Sequence, residues 1–293
     1  MNLDEEVRRG YTIPAEMKKV WKVQMDLLKK LLEVCEKNNL RIWADGGTLL
    51  GAVREHGYIP WDDDIDMAML REDYDKLVEI APKEFDHPYF FQCAYTEKYY
   101  PRGHAQLRMD GTTAILPDPL FVNTHQGVFI DIFPYDDIPN KQDDIDKLCV
   151  ERQKLYNNLR SAGFRPSLFH PGRSYRNIRN RLYFQKLYRQ FEDLFRVNNL
   201  PENHIVSCIS FIWDPKHFFR EKTWYSDTLY VSFEDISIPI PSGYHEILQR
   251  QYGDYMQPVI HPSYHGIFYK LDAENSYEKY LPEFRKAMKE HSI

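Results

Sequence analysis

The chain has 293 residues, enough for one large domain or for a domain with a sizeable insert. Hydrophobic residues make up 43% of it and aromatic residues 15%, a composition that excludes an intrinsically disordered protein. The net charge of −6 argues against general nucleic-acid binding, which needs a basic surface.

The N-terminal region predicts a long helix and no targeting segment. Its first ten residues, MNLDEEVRRG, lack the apolar centre of a signal peptide, and no run elsewhere approaches the ~18 apolar residues of a membrane-spanning helix. We therefore expect a cytoplasmic protein. From Pro14 to Asn38, apolar residues recur at steps of three and four, which predicts an amphipathic helix covering one face of a sheet.

Residues 41–70 combine two predicted strands with a glycine turn. A strand from Arg41 to Ala44 leads into Gly46-Gly47, a short helix follows from Thr48 to Arg54, and a second strand runs from Ile65 to Leu70. Glycine at such a turn lets a ligand approach the backbone N–H groups of a helix start, which favour anions. The pattern predicts a phosphate-binding turn.

Acidic residues cluster before and at the start of the second strand: Asp62, Asp63, Asp64 and Asp66. On an extended backbone the first, third and fourth of these share one face. Because three close carboxylates repel one another unless a cation lies among them, the pattern predicts a site for Mg²⁺ or Mn²⁺. An inert acidic turn is the alternative. A calcium loop fits poorly, since its glycine position holds Met67 and its final glutamate position holds Asp73.

The next predicted elements are a helix and three strands. The helix runs from Arg71 to Phe85, and the strands run from Tyr89 to Tyr95, from His104 to Met109 and from Ala114 to Leu116. Arg108 lies in the second of these strands, and its guanidinium suits two-point recognition of phosphate. An ordinary surface ion pair is the alternative interpretation.

A further acid, Asp131, stands inside the apolar segment GVFIDIFPYDD, residues 127–137. An unpaired carboxylate in such surroundings is costly to bury, so its charge needs a partner. Either it completes the cation site, or it caps a turn near Pro134. We expect Asp136 and Asp137, which follow the proline, to lie in a turn.

From residue 141 the character of the chain changes. Helices are predicted from Asp143 to Leu159 and from Tyr175 to Val197, and the second is rich in arginine and aromatic residues. Three interpretations stay open for this basic segment: an ordinary solvated face, a surface for a polyanionic acceptor, or a peripheral contact with an anionic membrane.

The C-terminal third predicts further strands and a helix. An apolar run from Ile205 to Trp213 is typical of a strand, Thr228–Phe233 and Asp235–Ile240 of a hairpin, and Ser242–Tyr252 of a helix. Together with the strand-and-helix units before it, this order predicts an α+β fold, close to α/β, in which helices cover a sheet. The region after residue 265 carries no clear pattern.

Cysteine spacing gives no sign of a zinc site or of disulfide bonds. The four residues, Cys35, Cys93, Cys149 and Cys208, are far apart in the chain and form no C-x-x-C pair. We expect buried free thiols.

The stretch around the acids carries a family resemblance. Gly46-Gly47 followed by Asp64-Ile65-Asp66 resembles the nucleotidyltransferase signature of a glycine turn and an Asp-x-Asp pair on a neighbouring strand. More narrowly, GGTLLGAVREHGYIPWDDDIDMAM resembles the hallmark of the LicD family, which includes bacterial phosphocholine transferases and the animal fukutin-related proteins. The resemblance extends from about Trp43 to Pro258, with the helical segment least matched.

The resemblance implies a fold and a domain organisation. We expect residues 1–293 to form a single domain with a nucleotidyltransferase-type mixed sheet covered by helices. Its core would comprise residues 14–140 and 201–275, with a helical insert at residues 141–200.

The resemblance also implies an activity and roles for residues. The expected reaction moves a phospho-alcohol group, most simply phosphocholine from CDP-choline, to a sugar hydroxyl of a teichoic acid, lipopolysaccharide or capsule, and releases CMP. The implied metal ligands are Asp62, Asp64, Asp66 and Asp131, and the last three are the implied catalytic residues. Gly46, Gly47 and Thr48 would hold phosphate oxygens, with Arg108 as a supporting cation and Arg54 as a weaker candidate.

Three other functions fit parts of the pattern. A metal-dependent glycosyltransferase also uses Asp-x-Asp to hold a nucleotide sugar, but it releases a nucleoside diphosphate. A nucleotidyltransferase acting on a small acceptor would release pyrophosphate or leave the nucleotide on its product. A non-catalytic binding module is disfavoured, because all the acids that the chemistry needs are present.

Overall fold

The computed structural model describes residues 1–164, 171–260 and 268–290. Its strands are β1 (Glu6–Arg8), β2 (Tyr11–Ile13), β3 (Trp43–Ala44), β4 (Asp66–Leu70), β5 (Tyr89–Gln92), β6 (Ala105–Met109), β7 (Thr113–Ile115), β8 (Phe129–Asp137), β9 (Ile205–Cys208), β10 (Arg220–Glu221), β11 (Thr228–Phe233), β12 (Ile236–Pro241) and β13 (Lys270–Asp272). Its helices are α1 (Ala15–Lys37), α2 (Gly46–Arg54), α3 (Arg71–Glu84), α4 (Gln142–Gly163), α5 (Pro171–Leu182), α6 (Phe184–Arg196), α7 (Pro215–Phe218), α8 (Tyr244–Tyr252) and α9 (Leu281–Glu290).

A mixed sheet of seven strands lies at the centre of the described structure, in the order β10-β9-β8-β4-β3, with β6 also on β8 and β5 on β6. Strands β4 and β8 run parallel, and the other neighbours run antiparallel. On the edge of β8 away from β4, residues 129–132 pair with β6 and residues 135–137 pair with β9. The predicted α+β class is confirmed.

The long helix α1 packs against β6 and β8, as its amphipathic pattern predicts. Its apolar side chains at steps of three and four, among them Trp21, Leu28 and Leu31, are fully buried. Two polar side chains of the same face hold the backbone of the acidic loop: Trp21 Nε1 donates to the Asp62 carbonyl at 3.1 Å, and Gln24 Nε2 donates to the Asp63 carbonyl at 2.7 Å. The helix therefore positions the loop as well as covering the sheet.

Strand β8 is longer than the sequence predicts, and the expected turn at residues 136–137 is wrong. The strand continues through Pro134 to Asp137, and every residue in it is buried. Pro134 falls between the segment that pairs with β6 and the segment that pairs with β9, where the missing N–H is tolerated on that edge. Asp136 instead accepts from the Arg71 guanidinium at 2.7 and 2.9 Å, a buried ion pair that ties α3 to the sheet.

The helical region differs from the prediction in one respect. The single helix predicted from Tyr175 to Val197 is two helices, α5 and α6, which meet at Tyr183. Together with α4 they lie within the predicted insert, residues 141–200, whose bounds as a unit stay a prediction.

Three further elements depart from the sequence pattern. The strand predicted from Ile205 to Trp213 ends at Cys208. The N-terminal hairpin β1–β2 and strand β13, which pairs with β7, were not predicted. All four cysteines are free thiols, with Cys149 half-buried and the other three buried. No helix among the described residues is both long and apolar enough to cross a bilayer.

Candidate active site

Two predicted acids, Asp66 and Asp131, meet at the centre of the sheet. Asp66 opens β4, Asp131 lies in β8, and the two are register partners in the parallel pair. On the other edge of β8, the register partner of Asp131 is Gln106 of β6, which in turn faces Gln92 of β5. Because register partners point to the same face, these side chains form one polar row across four strands.

The glycine turn lies against the acids. Asp45 caps α2 by accepting from the Gly46 N–H at 2.8 Å, and Gly46 has a φ of +52°. A Cβ on Gly46 would lie 3.0 Å from Asp66 Oδ2, and one on Gly47 would collide with Asp62 Oδ2. Glycine is therefore needed at both positions to let the carboxylates approach the helix start, a reason that the sequence interpretation did not include.

The acidic loop brings three carboxylates together. Oxygens of Asp62, Asp63 and Asp64 lie within 4.8 Å of one another. Asp63 was expected on the opposite face, but residues 62–65 are not part of a strand, so the alternation of faces does not apply to them. The loop thus adds a carboxylate to the predicted set.

Burial and like charge shift the titration of these acids. Burial raises the pKa of Asp66 well above its usual value, and the carboxylates of Asp64, Asp131 and Asp45 raise it further. Burial also raises the pKa of Asp62, with Asp64 and Asp63 as the neighbouring charges. A bound cation would offset this repulsion, and a donor set made of carboxylate oxygens fits Mg²⁺ or Mn²⁺.

Asp131 is held by Gln106, whose amide is fixed by a wider network. Gln106 Nε2 donates to Asp131 Oδ1 at 2.7 Å, and His104 Nε2 lies 3.2 Å from the same oxygen. Gln106 Oε1 accepts from Tyr100 OH at 2.8 Å and from the Arg108 guanidinium at 2.6 Å. Since both partners of this oxygen are donors, the amide is fixed with its NH₂ group toward Asp131.

Arg108 is buried beneath this row. It donates to the side-chain oxygens of Gln92 and Gln106 and to the Gly127 carbonyl at 2.5–2.7 Å, and its guanidinium lies 4.6 Å from the Phe129 ring centre. Burial lowers its pKa to about 10. These contacts favour positioning of Asp131 through Gln106 over direct contact with a phosphate, which stays a prediction.

The remaining predicted residues lie at the two ends of α2. Thr48 Oγ1, in the first turn, accepts from the Asp66 N–H at 2.8 Å and so joins the helix start to β4. Arg54 lies in the last turn, where it donates to Glu55 Oε1 at 2.6 Å and to the Tyr255 carbonyl at 2.8 Å. A helix rises about 1.5 Å per residue, so Arg54 is about 12 Å from the turn, and the structure does not bring it to the acids.

Comparison with known proteins identifies this region. A family model described as "LicD/FKTN/FKRP, nucleotidyltransferase domain" matches residues 39–159. Residues 39–159 thus match a LicD-family domain. The matched segment contains the glycine turn, the acidic loop and Asp131, so every predicted site residue lies within it.

Several proteins with sequences similar to this chain have been described. The chain is 26% identical over 241 residues to the lipopolysaccharide cholinephosphotransferase LicD of Haemophilus influenzae, a match that covers 80% of this chain and 89% of that protein. It is 44% identical over 73 residues to an uncharacterized protein of Rickettsia prowazekii, 25% of each chain. It is also 48% identical over 51 residues to the human ribitol 5-phosphate transferase FKRP, 17% of this chain and 10% of that one. The two relatives with a named activity are transferases.

One part of the site could not be found from the sequence. Arg220, 1% exposed, donates to Asp45 Oδ1 at 2.5 Å and to Tyr225 OH at 2.8 Å, and Tyr135 OH donates to Asp45 Oδ2 at 2.8 Å. Tyr135 shares the face of Asp131 in β8, which is a weak signal in the sequence. Arg220 lies outside the segment matched by the family model and has no local pattern that marks it.

Proposed function

We propose that this protein transfers a phospho-alcohol group, most simply phosphocholine from CDP-choline, to a sugar hydroxyl of a cell-surface glycan and releases CMP. The observation that carries the proposal is the pairing of Asp66 with Asp131 beside the glycine turn and the acidic loop. The match to a lipopolysaccharide cholinephosphotransferase over 80% of the chain supports the donor and the acceptor class.

The carboxylates of Asp62, Asp64, Asp66 and Asp131 would hold Mg²⁺ or Mn²⁺. A divalent ion bound there supplies positive charge against the negative charge that develops on the entering and leaving oxygens of an in-line substitution. Without a cation, the helix start faces the carboxylates of Asp45, Asp62 and Asp66, which repel a phosphate. This arrangement supports a dependence of donor binding on the metal.

The chain's own residues have distinct tasks in this reaction. The Gly46 N–H already donates to Asp45, so the N–H groups of Gly47 and Thr48 are the ones that would hold a phosphate oxygen. Asp131 would take the proton of the acceptor hydroxyl, because its strand β8 lies farther from that turn than β4, the strand of Asp66. Gln106 fixes the orientation of its carboxylate.

Tyr252 is a candidate for contact with the alcohol of the donor. Burial raises the pKa of its hydroxyl, and the neighbouring charges that add to the shift are Asp45, Asp62 and Asp66. Tyr252 as a whole residue is 41% exposed, so a ligand can reach part of it although its hydroxyl is shielded from solvent. A quaternary ammonium group is held by aromatic rings and by nearby negative charge, and this site offers both.

The decisive assay is the release of CMP. We expect CMP to appear when the protein is incubated with Mg²⁺ and CDP-choline from a panel of CDP-alcohols, and to disappear with EDTA or with Asp66→Ala. Release of a nucleoside diphosphate from a nucleotide sugar would favour a glycosyltransferase, and release of pyrophosphate a nucleotidyltransferase. Activity that persists in EDTA would contradict the proposal.

We also propose that α5 contacts an anionic membrane. Its buried residues are polar, Asn177 and Asn180, and Asn180 donates to Ser161 Oγ at 2.8 Å. Its apolar residues face solvent instead: Tyr175, Ile178 and Leu182 are 70%, 46% and 77% exposed. The helix carries four arginines and no acid in a chain of net charge −6. An outward apolar stripe flanked by arginines fits a surface of anionic lipid.

A further inference from the structure

A cavity of about 260 Å³ is lined by His104, whose Nε2 lies 3.2 Å from Asp131 Oδ1. Its wall includes His104, which precedes β6, and Ser210, which follows β9. Both strands pair with the edge of β8 opposite to β4, and the cavity lies just before β6 begins and just after β9 ends. Asp131 therefore stands between the cavity and the Asp66 side of the site.

Two arginines, Arg102 and Arg152, line this cavity. Neither has a carboxylate within 4.0 Å among the residues that the structure describes. The Arg102 guanidinium lies 4.9 Å from the ring centre of Phe121, and that of Arg152 lies 4.6 Å from the ring centre of Tyr156. Aromatic rings thus hold two guanidinium groups at the wall without neutralising them.

The hydrogen bonds of these arginines leave donors for a ligand. Arg102 Nη1 lies 3.4 Å from His104 Nε2, whereas Arg102 Nε is buried and has no hydrogen-bond partner in the described part of the chain. Arg152 Nε donates to the Ile209 carbonyl at 3.1 Å, and one terminal nitrogen donates to Gln153 Oε1 at 3.2 Å. The other terminal nitrogen has no partner among the residues that the structure describes. A buried donor without an acceptor is costly, and an anion in the cavity would satisfy it.

One acid, Asp118, also lines the cavity, and its charge acts on both Arg160 and Arg102. Its Oδ1 accepts from the Leu120 N–H at 2.8 Å, and its Oδ2 lies 4.0 Å from Arg160. The two arginines against one occupied carboxylate leave the lining with an excess of positive charge.

His104 connects the cavity to the proposed chemistry. Its Nδ1 lies 3.2 Å from Ser210 Oγ in the cavity wall, and its Nε2 lies 3.2 Å from Asp131 Oδ1. A group bound in the cavity is thus separated from the Asp131 carboxylate by a single imidazole ring. The volume is slightly below the ~300 Å³ at which ligand pockets usually begin, so it suits one small charged group and not a whole nucleotide.

We propose that this cavity binds an anionic group, a phosphate or a carboxylate, that belongs to the acceptor glycan. The assignment to the acceptor rests on the proposed function, which places the donor phosphates at the glycine turn. In an in-line substitution the acceptor enters opposite to the leaving group, and the cavity lies across Asp131 from that turn. The acceptor would then be an acidic glycan, anchored by Arg102 and Arg152.

The first test measures binding without any reaction. Inorganic phosphate, titrated into the metal-free protein, should raise the melting temperature of the wild type, and the apparent affinity should fall about tenfold or more in Arg102→Gln and in Arg152→Gln, because each removes a charged donor. Lys154→Gln, which removes an exposed cation from the same helix as Arg152, is the matched control and should behave as the wild type. Unchanged phosphate affinity in both arginine variants would overturn the proposal.

The second test identifies the charged group. With a CDP-alcohol donor, a neutral hexose, the same hexose phosphate and the corresponding uronic acid are compared as acceptors. We expect a lower KM for a charged acceptor, and a loss of that preference by about tenfold in either arginine variant. The charged acceptor with the lower KM shows whether the cavity binds a phosphate or a carboxylate group. A wild type that uses neutral and charged acceptors equally would overturn the assignment. Absence of CMP release from every donor would count against the proposed function, but it would not affect the result of the phosphate titration.

Discussion

Asp66 and Asp131 face each other across the parallel strands β4 and β8, although distant parts of the chain supply them. Their side chains belong to one polar row on a face of the sheet. Gln106 continues this row on β6, the strand beyond Asp131. Two carboxylates in this position repel each other, and the acidic loop adds to the repulsion. These carboxylates therefore lower the stability of the metal-free protein, and a bound cation would raise it again.

This cost predicts a pH dependence in the metal-free protein. In the folded protein the pKa of Asp66 lies above its usual value of 3.8. The contribution of Asp66 to the free energy of unfolding is therefore complete below about pH 3.8 and is lost as the pH rises through the folded-state pKa. Asp66→Asn removes the titrating group. We expect the variant's melting temperature to exceed that of the wild type by a margin that grows to roughly 2 °C or more between about pH 5 and pH 8.

The control for this prediction is added metal. Saturating Mg²⁺ should stabilise the wild type more than Asp66→Asn and close the gap at about pH 8. Parallel melting curves for the two proteins across the whole pH range would contradict the interpretation.

Close approach of Asp62 to the glycine turn predicts a steric effect. In Gly47→Ala the new Cβ collides with Asp62 Oδ2, so the carboxylate must move away from the helix start. We expect transfer to fall by about 10- to 100-fold, since small displacements of catalytic groups are costly. Gly172→Ala is the matched control, because a Cβ there meets no atom within 4 Å. Equal initial rates for the two variants would argue against a precise role for Asp62.

The network behind Asp131 predicts an effect on kcat and on the pH–rate profile. Gln106→Glu keeps an acceptor for Tyr100 OH and Arg108 but replaces the NH₂ donor to Asp131 with a carboxylate oxygen. We expect a fall in kcat of about tenfold or more and a shift in the pH–rate profile, because a second negative charge raises the pKa of Asp131, together with some loss of thermal stability from the added buried carboxylate. A changed KM with an unchanged kcat and pH profile would show that Gln106 does not act through Asp131.

The exposed apolar stripe of α5 predicts selective vesicle binding. The wild type should sediment with phosphatidylglycerol vesicles and much less with phosphatidylcholine vesicles, and the double variant Ile178→Ser/Leu182→Ser should lose most of this binding. Val150→Ser, on α4, removes a side chain that is 69% exposed and serves as the control. Equal binding by wild type and double variant would exclude a membrane role, and a concentration-dependent dimer that the double variant abolishes would assign the stripe to a second copy of the chain.

The sequence predicted those parts of the site that depend on local patterns. The glycine turn, the strand after the acidic loop and Asp131 in an apolar segment all follow from short-range spacing, and each lies where the sheet topology brings it to the centre. The position of Asp63 beside Asp62 and Asp64 was not predicted, because alternation of faces was assumed for a segment that is not a strand. The glycines were interpreted as a phosphate cradle, whereas their contacts with Asp62 and Asp66 depend on tertiary structure.

Long-range contacts set the limit of the sequence analysis. The ion pair between Asp45 and Arg220 joins residues with no shared motif, and the pairing of β13 with β7 joins two short strands far apart in the chain. The break between α5 and α6 at Tyr183 has no proline or glycine to mark it. Such features depend on packing, which hydrophobic periodicity does not encode.

Metal binding by the carboxylate pair tests the account most directly. Calorimetric titration of Mn²⁺ into the wild type and into Asp131→Asn compares the same protein with and without one proposed ligand. We predict that the wild type binds Mn²⁺ and that Asp131→Asn binds it at least about tenfold more weakly while keeping its fold by circular dichroism. Equal Mn²⁺ affinity in the two proteins, or no binding by the wild type, would contradict the proposed role of Asp131 beside Asp66.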